Sequence, residues 1–143
     1  MSIRLIKRKR WLALILSLLI SSPAFGSWGA VGSLGTGLDE DGLTTITLTT
    51  TAALEAGNIG ICIVAADYDG NGTSDDYTTA TDSAGNTWTV YAQNEADPGA
   101  ANAGAAVAII AVKAGVELAL GGTITVTAPD GPNKAAITCR EFS

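Results

Sequence analysis

The sharpest chemical pattern in the chain is Asp67-Tyr68-Asp69-Gly70-Asn71-Gly72-Thr73-Ser74-Asp75-Asp76. It fits the first nine positions of a D-x-D-x-N-G-x-x-D calcium loop. Ca²⁺ prefers about six to eight hard oxygen ligands. Asp67, Asp69 and Asn71 alternate so that their side-chain oxygens can converge, and Gly72 permits the sharp turn. Thr73 offers a backbone carbonyl, and Asp75 a direct or water-mediated oxygen. The twelfth position is Thr78, where such loops place a bidentate Glu. Asp76 is the nearest substitute, and weak affinity is expected. No helical pattern flanks the loop, so it is not an EF-hand. Asp, Asn and Gly are also turn formers, and the competing reading is a solvated acidic hairpin tip.

Other catalytic chemistry is sparse. The chain contains no histidine, which removes Ser-His-Asp and Cys-His catalysis and imidazole-ligated metals. Fourteen acidic residues make chance carboxylate pairs inevitable, and none stands out as a glycosidase pair. The expectation is therefore a non-enzyme. Trp28, Tyr68, Tyr77 and Tyr91 have the rings that stack on sugars, and Tyr68 and Tyr77 flank the acidic loop. Ordinary edge packing is the simpler role for each. Trp88 alternates with apolar positions and reads as core.

The elements that would carry these residues follow an N-terminal leader. Arg4, Lys7, Arg8, Lys9 and Arg10 precede the apolar run Trp11 to Ile20, and Ala24-Phe25-Gly26 supplies small residues at a cleavage site. Residues 1–26 read as a secretory signal peptide, leaving 27–143 as a single exported domain in a bacterial periplasm, outside the cell or at its surface. The apolar run is about half the length of a membrane span, so no span is expected after processing. The whole chain carries 8 basic and 14 acidic residues. Without the leader, only Lys113, Lys134 and Arg140 face the same 14 acids, a net charge of −11. Such a surface repels phosphate backbones, which argues against nucleic-acid binding. The destination is oxidising, and the two cysteines, Cys62 and Cys139, are an even count there.

The mature chain alternates with period 2, the pattern of half-buried strands. Thr44 to Thr51 sets Ile46 and Leu48 against threonines. Asn58 to Ala66 puts Ile59, Ile61 and Ile63 on one face, with Cys62 and Val64 opposite. Thr87 to Ala92, Thr123 to Ala128 and Lys134 to Phe142 follow the same rule, and a weaker strand opens near Ala30 to Leu34. Ala105 to Val112 differs. Val107 and Ile109 lie on one face, Ile110 and Val112 on the other. That implies a strand covered on both sides or shielded by a loop or a partner, with a short helix as the alternative. Asp82-Ser83-Ala84-Gly85-Asn86 is a hairpin turn cluster. About eight short strands at this spacing predict an all-β, antiparallel β-sandwich, jelly-roll-like, with an immunoglobulin-like arrangement as the alternative.

Four fragments then occur in a distinctive order: Ala56-Gly57-Asn58, Asp82-Ser83-Ala84-Gly85-Asn86-Thr87-Trp88, Gly121-Gly122-Thr123-Ile124-Thr125-Val126-Thr127, and the terminal Glu141-Phe142-Ser143. From about Ala30 onward the chain resembles a β-sandwich module of bacterial and phage surface proteins that often has no assigned activity. The resemblance implies an exported, non-catalytic surface, adhesion or assembly module. The alternative is a carbohydrate-binding module, with or without calcium. The resemblance also implies that the strand of Cys62 lies near the last strand. With the isoleucine row taken as inward, Cys62 meets Cys139 only if Phe142, and not Ile137, faces the core. A disulfide and two separate buried thiols both stand as readings. Related modules continue past the Glu-Phe-Ser ending. The expectation is thus a sandwich incomplete at its C-terminus, with an open edge at the last strand suited to a protein partner or self-association.

Overall fold

A computed structural model describes residues 28–42, 44–68, 77, 79–96, 104–127 and 134–143. The leader, residues 1–26, lies outside them, as do Asp69, Asn71, Thr73 and Asp75 of the acidic loop. The described elements are all strands: β1 (Ala30–Asp39), β2 (Thr45–Thr49), β3 (Ile59–Tyr68), β4 (Thr79–Asp82), β5 (Thr87–Ala96), β6 (Gly104–Lys113), β7 (Thr123–Thr127) and β8 (Ala135–Phe142). Every pairing is antiparallel, in the order β1-β8-β3-β6-β5-β4-β7-β2. The helix alternative for the segment around Val107 to Val112 is thus set aside: it forms β6, between β3 and β5. No described helix is long and apolar enough to cross a membrane.

The eight strands form one nearly closed, barrel-like sheet. β5 joins its two halves. Its first residues, Thr87 and Trp88, pair with β4, and Thr89 onward pairs with β6. The two ends of the sheet, β1 and β2, approach each other without a ladder. The Thr51 amide and hydroxyl both donate to the Leu34 carbonyl at this seam. A Cβ on Gly37 would lie 2.7 Å from the Thr47 carbonyl oxygen and 3.0 Å from Ile137 Cγ2. Both neighbours are held by packing or backbone, so Gly37→Ala must push β1 off β2. We expect a loss of about 1–3 kcal/mol, the usual cost of overpacking, read from urea unfolding.

Period-2 alternation decides the interior. Ile46 and Leu48 of β2, Ile124 and Val126 of β7, and Ile110 and Val112 of β6 all point inward. Their threonine neighbours on β2 face solvent. Loops 50–58 and 114–122 close one end of the barrel. They are tied by Thr50 N–H to the Gly122 carbonyl, Gly57 N–H to the Ala114 carbonyl, and reciprocal bonds between Leu54 and Leu118. Leu54 and Leu118 are fully buried and plug that end.

The structure reverses one orientation read from sequence. On β3 the inward residues are Gly60, Cys62 and Val64, and the row Ile59, Ile61, Ile63 faces out. Ile137 and Cys139 of β8 also point inward. Cys62 and Cys139 stand directly opposite in the β3–β8 register, with Cα atoms 4.1 Å apart, and are bonded inside the core. The condition that the sulfurs meet only with Ile137 turned outward is therefore wrong. It failed because the isoleucine row was assigned to the wrong face.

The last strand is not an open edge. β8 pairs with β1 on one side and β3 on the other. Gly29 and Ser143 exchange two further backbone bonds beyond its end. The reading that β8 offers unpaired backbone to a partner is corrected accordingly. The β1 register shifts near Gly32 and Gly35 allow β1 to cover β8 along its length.

Candidate docking face

The most specific sequence fragments turn out to fasten the fold. In the hairpin between β4 and β5, Asp82 accepts four hydrogen bonds. Its Oδ1 takes the amides of Ala84 (3.0 Å) and Asn86 (2.9 Å), and its Oδ2 takes Asn86 Nδ2 (2.9 Å) and Trp88 Nε1 (3.0 Å). Asn86 is itself buried and bonds the neighbouring loop. Its Oδ1 accepts from Gly115 and Val116 amides, and its Nδ2 donates to the Val116 carbonyl. Trp88 packs over Gly60, where a Cβ would lie 2.6 Å from the ring.

The other fragments behave alike. Buried Glu141 accepts the Glu55 amide at 2.9 Å and Asn58 Nδ2 at 2.8 Å, which pins the Ala56-Gly57-Asn58 turn to β8. Phe142 packs against Trp28, ring centres 6.4 Å apart. Buried polar groups need such partners, and these residues supply them internally.

Of the candidate calcium ligands, Asp67 alone is described. It is the penultimate residue of β3, on the outward row, accepts the Lys134 amide through Oδ1 at 2.7 Å, and donates its own amide to the Lys134 carbonyl. Among the described residues no group of three or more Cys, Asp or Glu side chains is placed to hold a metal. Tyr77, read as a flank of the acidic loop, is buried in the core and is withdrawn from any exposed aromatic surface. Trp28 and Tyr91 are exposed.

What stands out instead is the outer side of the five strands β1, β8, β3, β6 and β5. Inter-strand register aligns Thr36, Thr138, Ile63, Ile109 and Ala92 in one row. The next rows carry Leu38, Ala136, Ala65 and Val107 on one side, and Arg140, Ile61 and Ala111 on the other. Ile63 is 48 %, Ile109 43 % and Val107 41 % exposed, whereas their inward neighbours Val64, Ile110 and Ala108 are at 1 % or less. A β-branched row on a sheet face is ordinarily covered. Here, within the described residues, it meets solvent.

Two depressions border the face. A groove of about 320 Å³ is lined by Trp28, Ile59, Ile61, Tyr91, Ile109 and Lys113. A hollow of about 280 Å³ at the opposite strand ends is lined by Leu38, Glu40, Ala65, Asp67, Lys134 and Ala136. Tyr91 reaches the groove because β5 bulges between Val90 and Ala92. Sequence alternation had grouped Ile59, Ile61 and Ile63 correctly but could not say which face they take. The one signal was the two-faced apolar run of β6.

These features define an all-β, antiparallel module with an apolar sheet face that is uncovered among the described residues. No family model, curated protein or solved structure matches the chain.

Proposed function

We propose that the chain is an exported, non-catalytic surface or assembly module of the jelly-roll-like β-sandwich type, with residues 1–26 as its leader. The observation that carries this reading is the outer face centred on Ile63, Val107 and Ile109. Large contiguous apolar patches on exported domains mark contact sites. The resemblance to bacterial and phage surface modules agrees with it, as does a polar inventory consumed by structure. Ile63→Asp/Ile109→Asp sets two carboxylates opposite each other across β3 and β6, so the melting temperature should fall, while the domain stays folded below it. The change should release the protein from the surface-associated fraction of producing cells. Unchanged surface retention of a folded double variant would remove the reading. Intact-mass analysis of exported material should show a chain beginning at Ser27.

A second reading, a carbohydrate-binding module, is favoured by one observation. Trp28 and Tyr91 are both exposed and flank the groove, an arrangement suited to stacking on a sugar ring. In this reading Asp67, Asp69, Asn71, Thr73 and Asp75 are the candidate Ca²⁺ ligands. An ion bound only by the folded state raises its stability by mass action. Chelation should then lower the melting temperature, and Asp69→Ala should abolish the difference. Equal melting in calcium and chelator would exclude the ion.

A further inference from the structure

We infer that the occupant of the outer face is a second copy of the same chain, packed face to face about a two-fold axis that runs across the strands. This rests on the proposal that the face is a docking surface, and it names the partner.

Charge placement selects both the partner and its orientation. The central outward row is uncharged: Thr36, Thr138, Ile63, Ile109 and Ala92. Cations stand toward one end of the strands. Lys113 is opposite Ile59, and Arg140 is opposite Ile61. Acids stand toward the other end. Asp67 is opposite Ala105, and Glu40 follows directly on β1 after Asp39. Lys134 also lies at the acidic end, where its amide is bonded to Asp67.

A two-fold axis in the interface and perpendicular to the strands exchanges the two ends. It lays Lys113 of one copy over the end of β6 beside Asp67 of the other. Arg140 falls over Ala136 of β8, with Lys134 just before that strand and Glu40 beside it just after β1. An axis parallel to the strands would instead bring cation to cation and acid to acid. An isologous contact needs a self-complementary patch, and the Lys113 and Asp67 positions meet across the axis in the first orientation only.

The area also fits. The face spans five strands spaced about 4.8 Å apart, and roughly 33 Å along a ten-residue strand. That is on the order of 700 Å² per copy, or roughly 1,400 Å² for a pair, within the range of stable interfaces. Sheets packed face to face accept this geometry, with strands aligned to within about 30°. The centre of the patch offers apolar side chains and threonine hydroxyls, which suits another apolar sheet better than a polyhydroxylated glycan.

Sedimentation velocity of the exported protein over a concentration series tests this. The wild type should form a dimer that weakens at least tenfold as salt rises from low to molar concentration. Ile63→Asp/Ile109→Asp should be monomeric throughout. Arg140→Glu should weaken the dimer at least tenfold, and Arg140→Glu/Glu40→Arg should recover most of that loss. Circular dichroism of each variant checks that it is folded. Three results would overturn the inference: a folded wild-type monomer across the series, a dimer indifferent to the Ile63/Ile109 change, or a dimer that salt strengthens. A monomer whose Ile63/Ile109 variant still leaves the cell surface would refute the second copy while the docking reading stands. Binding of monomer to vesicles or polysaccharide through the face would likewise refute it, in favour of a lipid or glycan occupant.

Discussion

Cys62→Ala/Cys139→Ala is expected to destabilise the domain by about 4 kcal/mol, lowering the urea midpoint without abolishing the native β signal at low temperature. The bond joins residues 77 apart in sequence. In the chain-entropy model, opening a loop of that length returns about 4 kcal/mol of freedom to the unfolded chain. The bond also links the centres of two adjacent strands, β3 and β8, and both sulfurs are fully buried. Losing them adds a packing cost, because the core around Val64, Ile110 and Ile137 cannot fully close over two missing atoms. Equilibrium unfolding in urea, at matched salt and protein concentration, measures the difference. A shift below about 1 kcal/mol would mean that the unfolded chain is already constrained near these strands.

The second large effect belongs to Asp82. Asp82→Ala removes the acceptor for four hydrogen bonds and strands the indole N–H of a buried tryptophan. An unsatisfied buried donor costs on the order of 1–3 kcal/mol, and the hairpin turn is lost in addition. A total of roughly 3 kcal/mol is expected. Asp82→Asn should cost less, since one acceptor oxygen survives while its new amide meets donors. Because Asn86 bonds both Asp82 and the loop at Gly115 and Val116, the pair acts as a unit. Asp82→Ala and Asn86→Ala should therefore be non-additive, the double variant costing at least 0.5 kcal/mol less than the sum. Additive losses would show that the two residues fasten separate parts.

The period-2 pattern was enough to predict an antiparallel all-β chain and nearly all its strands. It succeeded where a strand has one apolar and one polar face, as in β2 and β7. There, alternation alone says which side is buried. It failed at β3. Ile59, Ile61 and Ile63 outweigh Cys62 and Val64 in hydrophobicity, and a local pattern assigns the heavier row to the core. Register with β8 and β6 decided otherwise, because Gly60 leaves room for Trp88 and the two cysteines meet inside. The error carried over to the cysteine argument and concealed the outer face. The place of β8 was also hidden. Pairing of the last strand with the first is a long-range choice that no local spacing encodes. The hairpin fragment was recognised as a turn, while its side-chain bonds to a loop thirty residues away were not.

The reading of the candidate site follows the same division. Tyr77 looked like an exposed flank of the acidic loop and is core. The two-faced apolar run of β6 was the one local sign of a surface that needs a cover. It gains its meaning only when β3 is seen to add a second apolar row beside it.

Side-chain footprinting of the protein, compared between the proposed surface-associated state and dilute purified solution, tests the central claim most directly. Ile63, Val107 and Ile109 should label readily in dilute solution and be protected several-fold in the surface-associated state. Val116 and Leu120, exposed on the loop away from the face, should label equally in both. Equal labelling of Ile63, Val107 and Ile109 in the two states would show that the outer face meets only water and would contradict the assignment of this module as one that docks through it.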